Sequence, residues 1–160
     1  MKDKLQSIIS GLHTTMYGKP WFGRSFFTIT SEIDPSLTTT SIGVNSHKLV
    51  ELVYHILTWS EFTLLHLRQA EITAITATEK LDWREIDPAI HKWQAGLDLL
   101  HASTQAIIQL LNEKTDEILE EKVEHRDYNF EFLLNGLIQH NIYHLGQIAS
   151  LAKILPQQSV

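Results

Sequence analysis

Leu133-Leu134-Asn135-Gly136-Leu137-Ile138-Gln139-His140-Asn141-Ile142-Tyr143-His144-Leu145-Gly146-Gln147-Ile148-Ala149-Ser150-Leu151 carries an apolar stripe with two histidines set into it. Leu133, Leu137, His140, His144, Ile148 and Leu151 follow one another at intervals of four, three, four, four and three residues, which keeps all six on one face of a helix. The spacing predicts a helix from about Asn129 to Ile154, closed by Pro156. At 3.6 residues per turn and 1.5 Å rise, residues four apart stand about 40° and roughly 6 Å from each other. The two imidazoles therefore reach one point in space, on the side of the helix that faces a core.

Working outward from that helix, most of the chain reads the same way. Residues 3–17 form a first amphipathic segment on Leu5, Ile8, Ile9, Leu12 and Met16, and Gly18, Pro20 and Gly23 break it. Residues 24–33 suit either a short helix or an extended packing segment, and the Ser/Thr-rich stretch from Pro35 to Ser41 a loop. A second helix is expected from Asn45 or Ser46, as N-cap, to about Ala70, with Leu49, Leu52, Val53, Ile56, Trp59, Leu64 and Leu67 turned inward. A third is expected from Asp87 as N-cap and Pro88 at the first position to about Glu113, its face running from Ile90 and Trp93 through Leu97, Leu100, Ile107 and Ile108 to Leu111. The charged connection from Lys114 to Arg126 has room for one helical turn. Four long amphipathic helices imply an all-α four-helix bundle, and the absence of repeats or linkers makes residues 1–160 one expected domain.

Composition removes several function classes. The chain has no cysteine, so thiolate metal sites, cysteine nucleophiles and disulfides are out. Thirteen basic residues against nineteen acidic ones give a net charge of −6 with no basic stripe, so nucleic acid is not an expected partner. No run approaches the ~20 apolar residues of a membrane span, and Met1-Lys2-Asp3-Lys4 does not lead into an apolar signal core. A cytoplasmic location follows as an expectation.

Nine histidines stand out, by placement more than number. On the second helix His55 shares a face with Leu52, Ile56, Trp59 and His66, so a third imidazole occupies a core-facing slot. Bundles build metal sites from side chains on facing helices. Three neutral imidazoles, with one or two positions left to water, make an open coordination shell for a divalent metal. The plainer alternative is three core histidines that only hydrogen-bond, or that line a small-ligand pocket. Around the three, Glu51, His47, Gln147 and Tyr143 are candidates to orient a ligand or carry a proton, and His13 and His66 to line a cavity. His91, His101 and His125 read as surface residues. Trp21, Trp59 and Trp93 read as core.

The stretch Tyr128 to Lys153 also resembles the closing helix of the DinB-like (damage-inducible) superfamily, whose His-x-x-Tyr-His-x-Gly-Gln-Ile pattern is matched by His140, Tyr143, His144, Gly146, Gln147 and Ile148. Ser41-Ile42, Leu52, His55, Ile56 and Trp59 fit the same family, as do Gly18 to Gly23 and a helix from Trp83 to Leu100. The resemblance implies a four-helix bundle holding nickel, zinc, iron or manganese on His55, His140 and His144, and a homodimer. It departs at Asn141, where the family often has Asp, which puts the orientation of a ligand in question. Family members include transferases that use a low-molecular-weight thiol. Such a thiol must come from outside a chain without cysteine, and its carboxylates would want a basic clamp, for which Lys48, Arg24 and Arg68 are the candidates. A metal-dependent thiol S-transferase acting on a small molecule is thus the leading expectation. A metal-dependent hydrolase and a non-catalytic, metal-stabilised stress or interaction protein are the alternatives.

Overall fold

The computed structural model describes residues 4–155. Asp3 and Pro156, expected at the ends of the first and last helices, lie outside the described residues. The helices are α1 (Lys4–Met16), α2 (Phe26–Thr30), α3 (Leu49–Leu67), α4 (Ile72–Glu79), α5 (Trp93–Asn112) and α6 (Phe130–Ile154). No β-strand occurs among the described residues, so the fold is all-α as expected. The four long helices form a ring. α3 packs between α5 and α6, and α1 closes the ring against the same two.

α6 begins as the sequence indicates: the Asn129 side chain accepts the Phe132 N–H at 3.0 Å, supplying one of the acceptors a helix start lacks. α1 buries Leu5, Ile8, Ile9, Leu12 and Met16, the stripe read from the sequence. Residues 24–33 resolve as the short helix α2, and one 3-10 turn at Asp116–Glu120 fills the charged connection and buries Ile118 and Leu119.

Three expectations are corrected. α3 starts at Leu49, not at Asn45 or Ser46: Glu51 reaches back to the Lys48 N–H at 3.0 Å and fixes the start there. The third helix starts at Trp93, not Pro88. Asp87 does cap a turn, accepting the Ala89 N–H at 2.8 Å, but that turn is not continued, and Ile90 is left exposed rather than inward. Trp21, read as core, is fully exposed.

α4, in the connection between the second and third helices, is an element without a counterpart in the periodicity of the sequence. α4 and the loop after it cover α3, which consequently buries nearly its whole circumference rather than one stripe. Polar residues tolerate that burial by local bonds. Thr58 and Thr63 donate to the Tyr54 and Trp59 carbonyls at 2.9 Å, and Ser60 pairs with Ser103 of α5 at 3.0 Å.

Candidate metal centre

His55 projects from the middle of α3, and His140 and His144 from consecutive turns of α6. The packing of α3 on α6 brings the three rings together. His55 Nε2 lies 3.0 Å from His144 Nε2 and 2.9 Å from His140 Nε2. His55 and His144 are buried and His140 is half-buried. The three residues expected to act together therefore do meet, tip to tip.

The outer nitrogens show which lone pairs face the centre. His55 Nδ1 lies 2.5 Å from Asp82 Oδ1, and a carboxylate only accepts, so Nδ1 carries the hydrogen. His144 Nδ1 donates to the Gln147 side-chain oxygen at 2.6 Å. In the neutral rings both Nε2 atoms are then acceptors, 3.0 Å apart with no hydrogen between them. One hydrogen on His140 Nε2 can satisfy only one of them. A cation at the centre would accept all three lone pairs. Imidazole nitrogens bound to one ion at about 2.0–2.1 Å stand roughly 3 to 3.4 Å apart, and the two separations from His55 Nε2, 3.0 and 2.9 Å, lie at the short end of that range. The residues present thus fit a divalent metal.

The electrostatics act in the same direction. Burial lowers the pKa of all three histidines. For His140, burial first and then the charges of His144 and His55 push it down to about 4. At neutral pH the triad is uncharged, the form that ligates.

The loop between α4 and α5 supplies what the sequence reading missed. Asp82 Oδ1 takes the His55 N–H and also the Trp59 indole N–H, at 3.2 Å. Trp83 stacks on His55 at 3.8 Å and on His47 at 3.9 Å between ring centroids. Its backbone φ is +47°, a left-handed conformation that costs a residue with a side chain on the order of 1 kcal/mol. Arg84 ties the loop down by donating to Thr58 Oγ1 at 2.6 Å. Asn141 is buried, its amide nitrogen 3.5 Å from the Met16 sulfur on α1, and as a neutral neighbour it acts on His140 in the direction that raises its pKa, against the larger effect of burial. Asp82 is the carboxylate beside a triad histidine.

The remaining candidates fall outside the centre. His47 is exposed, beside Glu51 at 3.5 Å, stacked on the Trp83 ring that also covers His55, and its charge acts to lower the pKa of His55 and His144. Tyr143 is exposed, its ring 4.9 Å from that of His144. His66 is buried against Phe62, 4.5 Å between rings, and His13 is exposed. Of the expected clamp, Arg24 pairs with Glu32 and Lys48 lies 3.9 Å from Glu51. Arg68 follows α3 thirteen residues beyond His55, roughly 20 Å along the axis.

The model of the DinB superfamily matches residues 32–148. The chain belongs to the DinB superfamily. The matched span holds the whole triad together with Asp82 and Gln147, so the geometry described above lies inside the part of this DinB chain that carries the family signature. No curated protein and no solved structure matches it. No helix among its described residues is long and apolar enough to cross a membrane.

Proposed function

We propose that this DinB-superfamily chain is a metal-dependent enzyme, one domain over residues 1–160, with one divalent ion on His55, His140 and His144. The observation that carries the reading is the meeting of three Nε2 atoms, two with their lone pairs fixed inward by Asp82 and Gln147. Imidazole ligands suit nickel, zinc, iron and manganese alike, and availability decides among them. When bound, such an ion lowers the pKa of a thiol or water and supplies a nucleophile near neutral pH. The chain's own part is to hold the rings. Asp82 orients His55 and makes it a better donor, Gln147 does the same for His144, and Trp83 shields the His55 face from water.

The leading reaction is transfer of an external low-molecular-weight thiol to a small electrophile, in the cytoplasm. The weakness of the basic clamp favours a thiol with little negative charge, and equally favours water as nucleophile, which would make the protein a hydrolase. We also propose a homodimer. Ile142 and Tyr143 give α6 an exposed apolar edge for a second copy, and static light scattering should return twice the 18.4 kDa chain mass.

The test of the chemistry is a cobalt-substituted protein offered a panel of thiols and electrophiles. A change in the visible cobalt spectrum on thiol addition, with thiol-dependent turnover, supports the transferase. A spectral change with pH alone and thiol-independent ester or amide cleavage supports the hydrolase. Neither effect would leave a metal-stabilised, non-catalytic protein.

A further inference from the structure

α6 contains two glycines, Gly136 and Gly146, in a helix that needs neither for its backbone. A Cβ added at Gly136 would meet nothing within 4 Å. Glycine inside a helix costs roughly 1 kcal/mol relative to alanine, so packing and conformation leave Gly136 unexplained. What it does is leave one wall of a cavity bare. That cavity, of about 280 Å3, lies between α3 and α6, with Trp59, Leu133, Leu137 and His140 among its walls and the exposed ring of Phe132 at its mouth. No Asp, Glu, Lys or Arg lines it, and the hydroxyl of Thr63, which does, is committed to the Trp59 carbonyl at 2.9 Å.

His140 is shared between this cavity and the triad. A molecule filling the cavity therefore lies against a triad ring. Trp59 is shared in a second way, since its indole N–H is held by Asp82, which also holds His55. A cavity on the other flank of α6, of about 470 Å3, is mixed: Ile42, Leu52, Leu151 and Ile154 line it together with His47 and Gln147. An apolar pocket meeting a few convergent polar groups is the usual form of a small-molecule site.

We propose that the cavity under Gly136 binds the uncharged apolar part of the substrate, an aromatic ring or branched alkyl group, and presents the rest of it to the triad. The substrate assignment rests on the metal-centre reading above; the pocket itself does not. Tyr128 and His140 are the remaining polar side chains of the lining, and a charged group there would lose hydration with no opposite charge to replace it.

The test is a fluorescence titration with N-phenyl-1-naphthylamine, a neutral aromatic probe that brightens in apolar surroundings, on the full chain with and without added zinc. Wild type should bind one probe per chain. Gly136→Leu should weaken binding at least tenfold, and Gly136→Ala by an intermediate factor, with melting temperature unchanged or raised and metal content unchanged. Naphthalene-1-sulfonate and 1-naphthylmethylammonium should each compete at least tenfold more weakly than naphthalene. Probe binding unaffected by both substitutions, or equal competition by the charged naphthalenes, would overturn the proposal. So would a Gly136→Leu protein that changes mass in light scattering while binding the probe normally, since the groove would then be a contact between copies. Probe binding that follows these expectations in a protein that takes up no metal would sink the metal centre and leave the pocket standing as a binding site.

Discussion

Asp82 is the residue on which the inner arrangement of the triad most depends, because one carboxylate oxygen holds both His55 and Trp59. Losing such an outer partner typically weakens a metal site about 10- to 100-fold. Asp82→Ala should do so in a chelator competition titration while the circular dichroism spectrum stays that of the wild type; unchanged affinity would remove Asp82 from the account. The histidines also set a pH dependence for the metal-free protein. Their folded pKa values lie below the ordinary 6.5, so protons bind the unfolded chain better than the folded one. Stability should therefore be full above about pH 6.5 and fall as pH drops, for His140 down to about 4. Between pH 7 and 5, His140 alone should account for at most about 2 kcal/mol, less what water screens at a half-buried ring. Urea midpoints at the two pH values check it, and His140→Leu should flatten part of the slope. His140 and His144 were legible in the sequence because helical period places them on an apolar stripe. Asp82 and Trp83 were not, because they stand 27 and 28 residues from His55 in a connection with no period, and only the fold brings them to it.

Among the elements, α3 bears most of the architecture. Its contact with α5 is close at Gly96, where an added Cβ would lie 2.9 Å from the Tyr54 ring and 3.1 Å from a Val53 methyl. Tyr54 cannot simply withdraw, since it is buried and its hydroxyl donates to the Lys92 carbonyl at 3.1 Å. Gly96→Ala should cost about 1–3 kcal/mol, seen as a lower melting temperature, and a neutral effect would mean that α5 is free to shift. Element boundaries were legible where one residue both caps and continues a helix, as Asn129 does. They failed where the cap signal was real but local: Asp87-Pro88 makes a turn that ends before α5 begins. α4 was not legible because its eight residues, with Ile-Thr-Ala repeated at 72–77, are too few and too rich in threonine to set a helical stripe, and a single buried residue, Ile75, anchors it.

At the scale of the molecule, a ligand that binds only the folded chain raises its stability, by about 4 kcal/mol at a thousandfold excess over Kd. For a chain of this size that corresponds to a rise in melting temperature on the order of 10 °C. Chelation of the native protein should reverse it, and His140→Ala should abolish the difference between treated and untreated samples. The ring of four long helices was legible from period and length alone. That α3 would lie buried between its neighbours was not, because the elements covering it carry weak patterns of their own. The most direct measurement is the metal content of the protein purified without a histidine tag and then exposed to a small excess of zinc, nickel, iron or manganese. About one ion per wild-type chain is expected with at least one of these metals, and below about 0.2 for each of His55→Ala, His140→Ala and His144→Ala. Wild type below about 0.2 with all four, or a triad variant that keeps a full ion, would contradict it.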